Sequence, residues 1–222
     1  MKRRARREEI EVKLNVSNVT EFRRRLKQLH AREIVPRTWE FNTLYDTPSG
    51  DLRRRGQLIR IRIERRAAKF GKRSPNNDLP AVLTYKGPSR ASSRAAKSAR
   101  TAKIPGHFKV KEEAEVQLSG AGEIDRILRA LGLKPSFRYE KFRTTYSLPG
   151  ASGLKIELDE TPIGVYLELE GTVAGINRAA HLLGYGHDDY RKDSYGALYL
   201  ADCRRRRRKP GNMLFPPLKK SR

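Results

Sequence analysis

The chain has 222 residues, 37% hydrophobic and 33% charged, with a formal net charge of +24. That length suits one domain with a sizeable core. A single cysteine, Cys203, excludes an intrachain disulfide and fits a reducing, cytoplasmic setting. No apolar run approaches the ~18 residues of a membrane span, and the basic start lacks the apolar stretch of a secretory signal.

A first strand is expected over 8–14. Asn18 with Glu21 forms a capping box and opens a helix with Val19, Phe22, Leu26 and Leu29 on one face. A strand over 33–46 leads to a turn at Thr47-Pro48-Ser49-Gly50, a short helix over 50–55, and the strand Leu58-Ile59-Arg60-Ile61-Arg62-Ile63. Residues 67–78 and 88–106 read as loops, the second a basic insertion rich in Ala and Ser. After Glu115 a helix runs from Gly120 to Gly132 with Ile124, Ile127, Leu128 and Leu131 aligned. Strands are expected at 136–148, 153–161 and 164–171. A helix over 173–183 places Ile176, Ala179, Ala180 and Leu183 together and stops at Gly184. A last helix is expected over 192–202, followed by a basic, flexible tail over 203–222. The domain is thus expected to end at residue 202.

Three strands carry the same short pattern: Glu9-Ile10-Glu11, Glu113-Ala114-Glu115 and Glu168-Leu169-Glu170. Residues two apart on a strand point to one face, so each strand aims two carboxylates at one surface. Arg60 with Arg62, and Lys141 with Arg143, give the opposite arrangement. Lys13 continues the face of Glu9 and Glu11, Lys111 precedes Glu113, and Lys155, Glu157 and Asp159 form a mixed face. An antiparallel sheet with its polar side in water is the plain reading of any one such strand. Repetition on many strands, with like signs within a strand, favours a closed sheet whose charged face lines an interior. Buried charges persist only when paired or bound to ions. Basic groups suit phosphates, and carboxylates suit hard cations such as Mg²⁺ or Mn²⁺. Together they compose a metal-assisted phosphoryl-transfer site. The stretch 8–14 (EEIEVKL) nearly repeats as 112–118 (EEAEVQL), which suggests two related halves. The four histidines lack zinc-ligand spacing, and no P-loop is present.

In order along the chain, Glu9-Ile10-Glu11-Val12-Lys13, Arg60-Ile61-Arg62, Lys86, Lys111 with Glu113 and Glu115, Lys141-Phe142-Arg143, Glu157-Leu158-Asp159, Glu168-Leu169-Glu170 and Asp193-Ser194-Tyr195 resemble the CYTH domain, or triphosphate tunnel metalloenzyme, superfamily. The resemblance spans roughly residues 7 to 200. It implies an α+β fold: a closed eight-stranded antiparallel β-barrel with a charged interior and helices packed outside. It implies a divalent-metal-dependent triphosphate hydrolase acting on inorganic triphosphate, thiamine triphosphate or a nucleotide. The alternatives are a class IV-type adenylyl cyclase and a non-catalytic module that binds polyanions or RNA. Carried over by motif, Mg²⁺ or Mn²⁺ would be held by Glu9, Glu11, Asp159, Glu168 and Glu170. Phosphates would be held by Lys13, Arg60, Arg62, Lys86, Lys141 and Arg143. Lys13, Lys86, Glu113 and Glu115 would be catalytic, and Lys111 and Lys192 are weaker candidates. The expected partner is a triphosphate-bearing small molecule, with no membrane, in a monomer or homodimer.

The positive excess lies in residues 1–7, 65–77, 89–107 and 203–222, so the remaining body is close to neutral. Such runs read as solvated appendages, or as loose contacts to nucleic acid or polyphosphate, chiefly through the tail. Aromatic residues for base stacking are few there: Phe70, His107 and Phe215.

Overall fold

A computed structural model describes residues 7–66, 79–89 and 108–217. The expected loop 67–78 and most of the insertion 88–106 lie outside the described residues. The elements are β1 (Arg7–Asn15), α1 (Val19–Gln28), β2 (Arg32–Asp46), α2 (Asp51–Arg54), β3 (Leu58–Arg66), β4 (Ala81–Lys86), β5 (Lys109–Leu118), α3 (Gly122–Ala130), β6 (Lys134–Ser147), β7 (Lys155–Thr161), β8 (Gly164–Glu170), α4 (Val173–Leu182) and α5 (Tyr195–Arg205).

The eight strands close into one antiparallel barrel in the order β1-β5-β4-β3-β2-β6-β7-β8. Closure leaves no long free edge and gives every strand an inner and an outer face. The alternation of charge and hydrophobe follows from that geometry. Val12, Leu14, Ile156, Leu158, Leu167 and Leu169 point outward into the main core. Phe22 and Leu26 of α1, and Ile176, Ala179 and Ala180 of α4, cover them. Each such aliphatic side chain contributes about 1.5–3 kcal/mol on burial, so the outer face, not the lumen, carries the hydrophobic stability.

The caps act locally. Asn18 accepts from the Glu21 N–H at 2.9 Å, Thr172 from Gly175 at 3.1 Å, and Ser194 from Ala197 at 3.2 Å. Gly132 and Gly184, both at φ +83°, end α3 and α4 in the left-handed region that glycine adopts without a Cβ penalty.

Two expectations change. The stripe on α3 is only partly covered: Leu128 is 6% exposed, Ile127 53% and Leu131 72%. This nine-residue helix lays Leu128 and the partly buried Ile124 on the β2–β3–β4 face. Leu131 already lies past the helix end. The boundary expected at residue 202 falls inside α5, which runs to Arg205. Beyond it, Asn212, Met213 and Phe215 lie against β6. Met213 is 1% exposed, donates its N–H to Arg138 O at 2.9 Å and accepts from Glu140 N at 2.9 Å. Asp202 holds the guanidiniums of Arg205, Arg206 and Arg208, so this charge run is paired to an acid on its own helix.

Candidate functional site

The inner faces of the strands meet in a cavity of about 200 Å³. On β1 the inward residues are Glu9, Glu11 and Lys13; on β8 they include Glu168 and Glu170. β3 brings Arg60 and Arg62, β4 Lys86, and β5 Glu113 and Glu115. β6 brings Lys141 and Arg143, and β7 Lys155 and Glu157. Every residue expected at the site lines this cavity except Asp159 and the weaker candidates Lys111 and Lys192. The Asp159 carboxylate shares the inner face of β7 with Lys155 and Glu157 but is fully buried beneath Lys141, Arg143 and Tyr195. There it accepts from Lys141 at 3.0 Å and from Arg143 at 2.5 and 2.7 Å. Lys86 and Glu113, joined in sequence by the long insertion, stand directly opposite each other on β4 and β5.

Register decides the electrostatics. Glu11 is opposite Glu170 on β1 and β8, and Glu157 is opposite Glu168 on β7 and β8. Like charges directly across a strand pair are destabilising, so cations must lie among them. Arg143 forms ion pairs with both Glu157 and Glu168. Glu11 takes Lys109, and Glu170 takes Lys155 at 2.9 Å. Lys13 is paired with Glu168, and Lys86 with Glu9. Glu115 accepts from Thr84 at 2.9 Å and lies 3.7 Å from Arg60.

The pairing shifts the protonation of these groups in opposite directions. Burial, then Glu11 and Glu113, push the Glu9 carboxyl up to about 7 against the pull of Lys86. Burial, then Glu168 and Asp159, push Glu157 up to about 7 despite Arg143. Burial also opposes ionisation of Glu11, but Lys109, Lys13 and Lys86 overcome it and hold that group at about 2. Burial is likewise outweighed at Glu168, where Lys13, Arg143 and Lys141 hold the carboxyl well below its usual range. Burial and Lys109 lower Lys111 to about 8; its ammonium donates to Gly56 O at 2.7 Å.

The donors here are carboxylate oxygens with no cysteine or histidine among the lining residues, which suits Mg²⁺ or Mn²⁺. Among the described residues no group of three or more such side chains is gathered closely enough to hold a metal ion as it stands. The acids are spread over the surrounding lysines and arginines, so a divalent cation would take its ligands by exchange with those ammonium partners. The opposed Glu11 and Glu170, with a like-charge conflict already built in, are where the residues fit such an ion best.

Sequence reasoning missed several lumen groups. Glu40 of β2 is 3% exposed and lies 3.3 Å from Lys141 and 3.7 Å from Arg143. A lone acid between Trp39 and Phe41 lacks the doubled charge that marked the other strands. Lys109 stands two residues before Lys111, so the alternation did contain its signal. Tyr195, the last residue of the Asp193-Ser194-Tyr195 motif, lines the cavity beside Lys13. Lys192 is exposed and does not line it.

The CYTH domain model matches residues 7–185. The chain belongs to the CYTH domain family. No curated protein matches it. Among solved structures, this CYTH chain is similar to the PH1819 protein of Pyrococcus horikoshii OT3, at 24% identity and a TM-score of 0.64, covering 87% of this chain and 98% of that one. It is similar to a candidate adenylate cyclase from Vibrio parahaemolyticus at 16% identity and a TM-score of 0.61, covering 84% and 94%. It is also similar to a candidate adenylyl cyclase from Hippeastrum described by its dominant triphosphatase activity, at 18% identity and a TM-score of 0.57, covering 87% and 95%. At these identities the likenesses establish the CYTH barrel and nothing finer.

Proposed function

We propose that this CYTH protein is a divalent-metal-dependent triphosphate hydrolase. The observation that carries the reading is the cavity itself: a narrow lumen walled by basic side chains for phosphates, with crowded carboxylates on β1 and β8. Lys13, Arg60, Arg62, Lys86, Lys141 and Arg143 bind the phosphate chain, the arginines by paired N–H donors and the lysines as point charges. Glu9, Glu11, Glu168 and Glu170 would hold Mg²⁺ or Mn²⁺. Asp159, paired with Lys141 and Arg143, would act on that metal through them. The ion supplies Lewis-acid charge neutralisation to phosphate oxygens when bound.

The protein's own groups do the rest. Lysines and arginines fix the terminal phosphorus for in-line attack by water; a P–O bond to water forms, the anhydride P–O bond breaks, and orthophosphate is released with the remaining diphosphate portion as leaving group. Glu113 and Glu115 accept the proton of the attacking water. Lys13 and Lys86 neutralise charge that builds on the phosphoryl oxygens. Positioning and electrostatic stabilisation supply most of the rate gain in such a transfer.

The test is product analysis over inorganic triphosphate, thiamine triphosphate and ATP with Mg²⁺ and with Mn²⁺. Orthophosphate is the expected product. Pyrophosphate together with a cyclic nucleotide from ATP would establish the cyclase instead. Salt-sensitive polyanion binding with no turnover of any of them would establish a binding module.

A further inference from the structure

Tyr195, the first residue of α5, is 7% exposed and lines the cavity, where it packs with Tyr139 of β6 and Tyr166 of β8. Its hydroxyl donates to Asp159 Oδ2 at 2.5 Å. The same oxygen accepts from Lys141 at 3.0 Å and from Arg143 Nη2 at 2.5 Å. Lys13 Nζ lies 4.5 Å from the centre of the Tyr195 ring, and Lys141 Nζ 5.4 Å from it; both are within cation–π range. One side chain thus touches Lys13 and Lys141 directly and reaches Arg143 through a single carboxylate.

Tyr195 can hold that place only if α5 is itself held. Beyond α5 the chain reverses at Arg207, whose φ is +51°. Arg208 N–H then bonds Cys203 O at 2.8 Å. The next segment runs beside β6, for a reason set by strand lengths. β7 pairs with β6 only from Phe142 onward, so the β6 edge at Arg138 and Glu140 extends past its barrel neighbour. Met213 bonds both of those residues through its backbone. Asn212 Oδ1 accepts from Arg138 N at 2.9 Å, and Glu140 Oε2 accepts from Phe215 N at 2.9 Å. The Met213 side chain enters one apolar cluster with Tyr139, Tyr166 and Tyr195. Phe215 meets Phe142 with ring centres 5.2 Å apart.

We propose that Tyr195 is a positioning residue and that residues 211–215 are the strap that seats it. Together they orient Asp159 and thereby aim Lys13, Lys141 and Arg143 at a bound triphosphate. The inference rests on the triphosphate reading of the cavity. The physical reason is that Asp159 Oδ2 takes donors from both the lumen side and α5. Without the phenol, the carboxylate draws Lys141 and Arg143 back into the wall.

The test is a double-mutant cycle on the full chain, read as affinity for inorganic tripolyphosphate by calorimetry and as kcat and KM where turnover occurs. Tyr195→Phe keeps the ring and its packing and removes one charge-assisted hydrogen bond. It is expected to weaken binding about tenfold while the variant still folds cooperatively, as thermal unfolding would show. Met213→Ala with Phe215→Ala is expected to weaken binding to a similar degree. Should that pair fail to fold, Asn212→Ala carries the strap arm. Combining the strap change with Tyr195→Phe is expected to cost little more than either alone, because both act through one contact. Wild-type affinity in Tyr195→Phe, or losses that multiply in the combined variant, would overturn the inference. Wild-type protein that binds tripolyphosphate without hydrolysing it would contradict the triphosphatase reading alone and leave the cycle readable.

Discussion

Arg143 makes the densest set of ion pairs at the site. It reaches Glu157, Glu168 and Asp159, with Glu40 at 3.7 Å. Removing one partner of buried ion pairs leaves uncompensated charge and costs about 3–5 kcal/mol. Arg143→Met is therefore expected to lower unfolding stability by roughly that amount, measured by urea denaturation. Glu40 gives a cleaner pH signature. Burial opposes its ionisation, but Lys141, Arg143, Arg62 and Arg60 prevail and hold it at about 2, below its ordinary 4.5. A carboxyl whose folded value is depressed brings stability that is complete above the unfolded value and lost as pH falls through the folded one. Glu40 should therefore make the protein less stable between pH 4.5 and pH 2, by roughly 3 kcal/mol. In Glu40→Gln the stability difference between pH 5 and pH 3 is expected to shrink, and an unchanged difference would assign the acid sensitivity to Glu11 and Glu168. Neither contact could be read from the chain beforehand. Alternation shows which face a residue occupies, but partner choice depends on strand order and register.

At the scale of elements, the repeat at Glu8 and Glu112 has a geometric counterpart. β1 and β5 pair antiparallel with Glu8 opposite Glu112. Exchanging β1 with β5, β2 with β6, β3 with β7 and β4 with β8 leaves the ring order unchanged. The two halves are thus related by a pseudo-twofold through that pair. The three acidic strands are neighbours: β1 lies between β5 and β8. Strand positions were legible because charge and hydrophobe alternate so strictly on β1, β3 and β8. The adjacency was not, since antiparallel partners far apart in sequence leave no local mark. Helix α3 shows a different limit, because periodicity identifies an apolar stripe without measuring how much of it is covered. Leu128→Ala is expected to cost about 2–5 kcal/mol. Leu131→Lys is expected to stay within about 0.5 kcal/mol of the parent. Thermal or urea unfolding of the two variants checks the contrast. The basic run of the C-terminal segment dominates its composition and makes it resemble a solvated tail. Met213 and Phe215 lie just beyond that run and carry the docking.

At the scale of the whole molecule, the barrel segregates two chemistries by face. The main apolar core lies outside, under the helices, and ionisable groups lie inside, with one tyrosine-rich cluster at the cavity beside α5. This segregation explains how a chain with 33% charged residues folds around a sizeable core. It also explains why the lumen could specialise: its charges need only balance each other, or a ligand and a metal, without disturbing the helical layer. In the structure as it stands the lumen acids and bases neutralise one another. Binding must exchange partners, with phosphate taking the cations and a divalent ion the carboxylates. The account therefore requires that turnover depend on the metal through the β1–β8 carboxylates. The most direct measurement is orthophosphate release from inorganic tripolyphosphate with Mg²⁺, with excess chelator, and with Glu170→Ala. The prediction is steady release by the parent protein, abolished both by chelation and by Glu170→Ala. Release that persists in the chelator, or that is unchanged in Glu170→Ala, would contradict it.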